Sequence, residues 1–233
     1  RHHGGSLKTF QHPSPRSRDI DSAAQLLVFP NSLLLTAVLL EIAVENPAYD
    51  PKKHQDWFDV KFKLGLDFPN IPYYIDGNTK LSQSTAIYRY IARKYDLYGS
   101  NDDERALVDM ISEELGDIKL AVYDIVYYAS SKEDYEEKLK AYEAEKLPLK
   151  LKQFNEFLGN KKWLVSDKIT YADFHLYDVL DYHIRMYPEC LKDFPKLKAY
   201  HTRFEQLPAI KAYMESDEFI KSPINDYSAY FVG

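Results

Sequence analysis

The segment 61–95 constrains the fold of this chain more than any other stretch. Phe68-Pro69-Asn70-Ile71-Pro72 is predicted to be extended, because a proline disfavours the helical conformation in the residue before it. Tyr73-Tyr74-Ile75 is typical of a strand, Asp76-Gly77-Asn78 of a tight turn, and Lys80-Leu81 of a returning strand. Apolar residues then recur at helical spacing. The segment is therefore predicted to be a β-hairpin that runs directly into a helix.

Ser84 stands where this helix is predicted to begin, directly after Gln83. Serine is a preferred residue at a helix N-cap. The first turn of a helix has N–H groups without intrahelical partners, and it carries the positive end of the helix dipole. The sequence therefore predicts a binding site for a carboxylate or a phosphate at this point.

A second binding element is predicted beside the first, at Ile71. The Ile71-Pro72 bond is a candidate for a cis peptide, because the cis form is common only before proline. Such a kink would turn the main-chain N–H and C=O of Ile71 outward, where an extended peptide could pair with them as an extra strand. The two elements together would suit a small acidic peptide. The alternative is an ordinary hairpin that leads into a helix.

Composition excludes several classes of protein. The chain has 233 residues, 45% of them hydrophobic, which is enough for one large or two small globular domains. A net charge of -6 and a pI near 5.7 argue against nucleic acid or an anionic membrane as the main partner. The single cysteine, Cys190, excludes an internal disulfide, a CxxC redox centre and a cysteine-based zinc site. A reduced, cytoplasmic setting is expected.

The first part of the chain differs in character from the rest. Residues 1–25 have no apolar period and are predicted to be disordered or an atypical extension. The segment Leu26–Val44 is apolar and follows basic residues, so a signal peptide or a membrane anchor is one interpretation. Pro30 and Glu41 interrupt it, which leaves too short a run for a bilayer span. A buried strand or helix of the first domain is the preferred interpretation.

The segment Asp96–Asn101 is predicted to link two domains. Ser100 or Asn101 can cap the long helix that follows, whose first turn is acidic. One face of this helix is predicted to enter the core. The residues on that face are Leu107, Met110, Ile111, Ile118, Val122 and Ile125.

Further helices complete the second half of the chain. One is predicted over Lys132–Leu158, with a kink at Pro148 and a left-handed end at Gly159. Two more are predicted near Phe194–Glu205 and Pro208–Met214. Thr170-x-x-Asp173 is an N-capping pattern. The set His175, Asp178 and His183 does not have the spacing of a compact ligand set, so no metal site is predicted.

Three blocks of sequence carry a resemblance to a known family: LGLDFPNIPYYIDG, then QS, then AIYRYIARKY. They are similar to the glutathione S-transferase family, and most similar to its mu class, over a match that runs from about Trp57 to near the C-terminus. The resemblance implies an α/β thioredoxin-like N-terminal domain followed by an all-α C-terminal domain. The expected ranges are 1–25 for the extension, 26–95 for the glutathione-binding domain, whose first β-α unit diverges, and 96–233 for the helical domain.

The resemblance also implies which residues bind glutathione. Gln83 and Ser84 would hold the γ-glutamyl carboxylate, and Asn70 and Ile71 the cysteinyl backbone. Each of these roles agrees with the anion site and the strand edge predicted above from the residues alone.

Five more positions align with functional residues of the family. Trp57 and Lys61 would bind the glycine carboxylate, and Asp117 would reach across a dimer to the glutathione amino group. Tyr127 would face the electrophile, and Phe68 would be the aromatic anchor of the dimer. The alternative for each is a common structural role, such as a half-buried aromatic, a surface lysine or a solvated acid.

No catalytic residue is identified. The family opens with a strand that ends in a tyrosine, followed by a tryptophan and an Asp-Ile-Arg-Gly turn. The nearest string here lies at residues 17–22 and shares only Asp19-Ile20. Tyr49 is the only tyrosine before Tyr73, and it would align with the second-helix region. The family's catalytic tyrosine is therefore unmatched.

The expected function is the conjugation of reduced glutathione to hydrophobic electrophiles, a detoxification reaction. The protein would be a cytoplasmic homodimer with glutathione as co-substrate and no cofactor. The tail at residues 222–233 would fold back over the electrophile site. The alternative function is a ligand carrier or scaffold of the same fold, which the altered N-terminus favours. A thiol–disulfide oxidoreductase is excluded because the first domain has no cysteine.

Overall fold

A computed structural model describes residues 58–216 together with residues 219, 224 and 229–231. In this part of the chain, strands β1 (Tyr73–Asp76) and β2 (Thr79–Ser82) pair antiparallel, with Tyr73 opposite Ser82. The first residue of the two-residue loop, Gly77, has a φ of 58°, which glycine adopts without a steric cost. The predicted hairpin is confirmed, and the Ile71-Pro72 bond before it is cis.

Seven α-helices follow the hairpin within the described residues. They are α1 (Ser84–Lys94), α2 (Asp102–Tyr128), α3 (Lys132–Ala141), α4 (Leu147–Leu158), α5 (Tyr171–Met186), α6 (Pro195–Glu205) and α7 (Pro208–Met214). The small sheet and mainly helical remainder agree with the predicted fold class.

The ends of the helices follow local sequence signals. The Asn101 side chain caps α2 by accepting from the Glu104 N–H, as predicted. Thr170 and Asp173 form a capping box at the start of α5, which confirms the pattern read from the sequence. Gly159 ends α4 with a φ of 55°, a conformation that favours glycine.

Helix α5 lies at the centre of the core. Ten of its sixteen residues are buried, on more than one face, because α2 packs on one side and α6 on another. Tyr171, Leu180, Leu197, Tyr200 and Phe204 are among the fully buried side chains at these contacts.

The predicted inner face of α2 is only partly correct. Ile111, Ile118, Val122 and Ile125 are buried as expected, but Leu107 and Met110 are 38% and 55% exposed. The inner stripe of α2 begins instead at Val108 and continues through Ile111 and Leu115, at alternating spacings of three and four residues. Leu107 and Met110 flank this stripe, so the helix turns them outward.

The helix predicted over Lys132–Leu158 is divided. Tyr142–Lys146 forms a π-helical turn between α3 and α4, and Pro148 stands in the first turn of α4. A π-turn adds a residue to one turn and bends the helix there. The predicted kink therefore lies before Pro148, which begins the new helix instead of breaking an old one.

Within the described residues, no helix is both long enough and apolar enough to cross a bilayer. The apolar segment Leu26–Val44 and the extension 1–25 lie outside the described residues.

His183 is buried in the core with both ring nitrogens bonded. Nδ1 lies 2.6 Å from the Val179 carbonyl, which can only accept, so Nδ1 carries the proton. Nε2 then accepts from the Tyr142 hydroxyl at 2.9 Å. Burial lowers the pKa of His183 to about 4, because the charged ring would lose its solvation by water.

We predict that the protein loses stability as the pH falls below about 6.5. The pKa of His183 is lowered on folding, so its neutral form is the one that the fold favours. Its contribution is complete above the unfolded value of about 6.5 and is lost as the pH falls towards 4. His183 alone should therefore contribute a slope approaching about 1.4 kcal/mol per pH unit to the fall in the free energy of unfolding in urea, and the buried His175, whose pKa is also lowered, adds to it.

The control for this prediction is His183→Asn, which removes the titrating group. This variant should be less stable at neutral pH but should show a shallower slope between pH 6.5 and 5. Equal slopes in the two proteins would show that His183 is not the source.

Candidate functional site

The candidate site lies where β2 ends and α1 begins. Ser84 is the first residue of α1, so the prediction of an N-cap or first-turn position is correct for the first turn. Gln83 occupies the N-cap position with φ 73° and ψ 111°. A residue other than glycine with this conformation costs about 1–3 kcal/mol and is found mainly at functional sites.

The start of α1 has an uncompensated positive end. Gln83 makes no capping hydrogen bond, and the first turn contains no acidic residue. By contrast α2, α3 and α5 each begin with a capping side chain and an acid, whereas α4, α6 and α7 have a proline in the first turn and, like α1, neither a cap nor an acid. An anion placed at the N–H groups of α1 would supply what α2, α3 and α5 take from their own sequence.

The loop that carries Asn70 and Ile71 is tied to β2. The Ser82 hydroxyl donates to the Phe68 carbonyl at 2.5 Å, and the Lys80 ammonium donates to the Leu64 carbonyl at 2.7 Å. These bonds hold the loop beside the start of α1. The predicted donor, the Ile71 N–H, is bonded to the Asn70 side-chain oxygen at 2.9 Å. A peptide ligand would therefore have to replace the Asn70 side chain at this N–H.

The residues predicted for the glycine end of glutathione are only partly described. Trp57 lies outside the described residues. Lys61 is half-buried, with its ammonium 5.3 Å from the centre of the Phe58 ring and 5.0 Å from that of Phe62. Two aromatic faces thus hold the ammonium by cation–π attraction.

Two predicted residues stand on exposed surfaces. The Phe68 side chain is 76% exposed, a high value for an aromatic residue. Asp117 is exposed on α2, seven residues after the exposed Met110 and therefore on the same face of the helix.

Tyr127 is half-buried in a row of aromatic rings. Its ring is 5.8 Å from that of Tyr123, which lies 6.4 Å from that of Tyr182. The Tyr182 ring in turn lies 6.0 Å from that of Phe231. The row lines one side of the helical domain near the end of α2.

The last described residues of the chain close over this end of α2. The Tyr230 N–H donates to the Val126 carbonyl at 3.0 Å, and the Tyr230 ring stacks on that of Tyr135 at 5.1 Å. Val126 precedes Tyr127, so the tail lies directly beside the predicted electrophile residue. Tyr227, also in the predicted tail, lies outside the described residues.

A polar network that sequence reasoning missed joins α1 to the helical domain. Asp109 of α2 accepts from Arg89 at 2.9 Å, from Tyr98 at 2.6 Å and from Tyr171 at 2.8 Å. Burial alone would raise the pKa of Asp109, but the bonds from Tyr98, Tyr171 and Arg89 bring it below its ordinary value. No spacing in the sequence indicates this network, because its members come from α1, the linker, α2 and α5.

The three residues that were rejected as a metal set have separate partners. His183 bonds Tyr142 and Val179, as described above. Asp178 bonds the Lys119 ammonium at 2.5 Å. The ring of His175 packs between Tyr88 of α1 and Tyr171 of α5.

Comparison with known proteins agrees with this architecture. The family model "Glutathione S-transferase, N-terminal domain" matches residues 26–93, and "Glutathione S-transferase, C-terminal domain" matches residues 116–217. Glutathione S-transferase Mu 3 of Homo sapiens is 45% identical over 185 residues, which are 79% of each chain. Glutathione S-transferase Mu 1 of Bos taurus is 48% identical over 180 residues, 77% of this chain and 79% of the relative.

Solved structures give the same result. The glutathione S-transferase Blo t 8 superimposes with a TM-score of 0.70 at 32% identity, over 77% of this chain and 83% of the other. The Pi-class glutathione S-transferase of Onchocerca volvulus superimposes with a TM-score of 0.67 at 34% identity, over 76% and 83%. The chain belongs to the glutathione S-transferase family, and the mu-class resemblance read from its sequence is confirmed.

Proposed function

We propose that this chain binds reduced glutathione at the start of α1 and transfers its sulfur to hydrophobic electrophiles. The observation that carries the proposal is the uncapped, acid-free start of α1 at Ser84, beside the main-chain donor of Ile71. A small acidic peptide needs an anion site and a main-chain partner, and these two elements offer both. Membership of the family adds support to this proposal.

Each end of glutathione has a proposed partner. Gln83 and Ser84 would bind the γ-glutamyl carboxylate, and Ile71 would pair with the cysteinyl backbone after Asn70 turns away. Lys61, together with Trp57, would bind the glycine carboxylate. These five residues would hold the peptide along the hairpin.

The Ser84→Ala variant should bind glutathione less tightly. It removes one hydrogen bond to a carboxylate, worth roughly 1.5–3 kcal/mol, which is about 10- to 150-fold in affinity. Calorimetric titration of both proteins with reduced glutathione measures the difference. Ser100→Ala, a change of an exposed serine in the linker, is the matched control and should bind as the wild type does. Equal affinity of wild type and Ser84→Ala would place the carboxylate elsewhere.

We further propose that the active form is a homodimer. Phe68, Leu107 and Met110 are exposed apolar side chains in the described monomer, and a second subunit would cover them. Asp117 shares the exposed face of α2 with Met110, so it would lie close to the partner subunit and its glutathione.

Phe68→Ala should shift the protein from dimer to monomer. Truncation of one aromatic anchor at an interface costs about 2–4 kcal/mol, which is about 30- to 800-fold in affinity, and the symmetric dimer loses two such anchors. Sedimentation at micromolar concentration should give about twice the 27.2 kDa chain mass for the wild type. Phe62→Ala is the matched control, because Phe62 is 78% exposed but does not occupy the anchor position. A monomeric wild type, or equal effects of the two variants, would contradict this proposal.

The electrophile would bind against Tyr127 and the aromatic row beside it. Flat aromatic rings offer a large apolar surface that suits a hydrophobic aromatic substrate. The tail residues Tyr230 and Phe231 would form part of the same wall.

The activation of the sulfur is the step with no assigned residue. A free thiol with a pKa near 8.5 is only about 3% ionised at pH 7, and a hydroxyl bonded to the sulfur would favour the thiolate. The nearest candidate by alignment, Ser17, lies outside the described residues, and Tyr127 is assigned to the electrophile side. The lack of an assigned activating residue is the one observation that favours the alternative function, a ligand carrier of the same fold.

The rate of conjugation to a chlorodinitrobenzene decides between the two functions. We expect turnover at least tenfold slower than in a variant given the family's first strand and helix, because about 1.4 kcal/mol of transition-state stabilisation is missing. Positioning alone should keep the rate above that in solution. Full turnover with a thiol pKa well below 8.5 would mean that residues 1–50 supply an activating group. Tight binding of ligand without turnover would establish the alternative function, that of a ligand carrier.

The cytoplasm is the proposed compartment. The sequence has a single cysteine, Cys190, so it cannot form the internal disulfides that are typical of proteins in oxidising compartments.

A further inference from the structure

Three side chains with metal-binding atoms meet where α6 packs on α5. Asp181 comes from α5, and His201 and Glu205 stand one turn apart on α6. Their donor atoms all lie within 4.8 Å of one another. The three side chains are 28%, 12% and 29% exposed, so water reaches the cluster only in part.

One ring nitrogen of His201, Nε2, is placed to act as a ligand atom. It lies 3.5 Å from Asp181 Oδ1, which exceeds a good hydrogen bond, and it is shielded from solvent without a hydrogen-bond partner. Around a tetrahedral zinc ion with bonds of about 2.1 Å, neighbouring ligand atoms are about 3.4 Å apart, and the distance from Asp181 to His201 matches this spacing. Glu205 Oε1 lies 3.9 Å from the other ring nitrogen, Nδ1, so Glu205 would turn towards Nε2 when it binds the same ion.

Neighbouring groups orient each of the three side chains. Arg185 Nε donates to Asp181 Oδ2 at 2.9 Å, which leaves Oδ1 directed towards His201. The Tyr177 hydroxyl donates to Glu205 at 3.1 Å, and its ring stacks on the His201 ring at 4.7 Å. Partners of this kind, which fix the ligands from outside, accompany most metal sites in proteins.

The charge of the cluster favours a cation. The carboxylates of Asp181 and Glu205 outnumber the single guanidinium of Arg185 when His201 is neutral. A metal ligand must be a carboxylate anion, and the Arg185 guanidinium, 2.9 Å from Asp181 Oδ2, favours that form of Asp181.

We propose that Asp181, His201 and Glu205 form a zinc site with three protein ligands and a water molecule. An imidazole and two carboxylates are a usual donor set for zinc. The ion would fasten α6 to α5 and so stabilise the centre of the helical domain. The zinc site shares no residue with the proposed glutathione site, so failure of one proposal would not decide the other. A sequence signal existed, because His201-x-x-x-Glu205 places both side chains on one face of a helix.

Zinc titration of the full chain tests the site. The protein, freed of metal with a chelator, is titrated with Zn²⁺ by calorimetry at pH 7.5, in a background where His2 and His3 are replaced by alanine. One ion should bind at micromolar concentration, and the melting temperature should rise with zinc. The Glu205→Gln and His201→Asn variants should each weaken this binding at least tenfold.

The matched control is Glu215→Gln, which makes the same change at a glutamate 67% exposed at the end of α7. It should bind zinc as the background protein does. Circular dichroism without metal establishes that each variant is folded. The proposal is overturned if both site variants bind zinc as tightly as the control does. Independently of any variant, a background protein that binds no zinc and shows no rise in melting temperature would also overturn it.

Discussion

One carboxylate, that of Asp109, joins four parts of the fold. It accepts hydrogen bonds from Arg89, Tyr98 and Tyr171, and so joins α1, the linker and α5 to α2. Arg89 lies five residues after Ser84 on the same helix, and its second bond, to Glu113, also ties α1 to α2. Loss of the Asp109 carboxylate would leave the Tyr98 and Tyr171 hydroxyls without this partner and Arg89 with Glu113 alone, which is costly in a part-buried network.

The start of α1, the proposed anion site, is locally unfavourable. Gln83 is held at a positive φ, and no side chain compensates the positive end of the helix. The rest of the fold stabilises this arrangement through the two bonds that tie the preceding loop to β2, at Leu64 and Phe68. A carboxylate ligand would complete what the helix lacks, so binding energy and local structure are coupled.

The described residues account for some of the elements proposed for glutathione transfer but not for the activation of the sulfur. The described residues contain the proposed anion site, the proposed strand edge and the aromatic row around Tyr127. The family's activating tyrosine has no counterpart by motif, and the segment where it would lie falls within residues 1–57. The region around Asp181 and His201, in the helical domain, adds polar contacts that belong to neither part of the proposed glutathione site.

The sequence by itself determined the elements whose signals are local. The hairpin, the start of α1, the caps at Asn101 and Thr170, and the family all follow from residues close together in the chain, because turn and cap chemistry act over three or four positions. Only the tertiary structure decided which face of α2 is buried, and hence that Leu107 and Met110 lie outside. It also brought Arg89, Asp109 and Tyr171 together, and Asp181 with His201. These contacts join residues about twenty or more positions apart, and their geometry depends on how α1, α2, α5 and α6 pack, which no local pattern encodes.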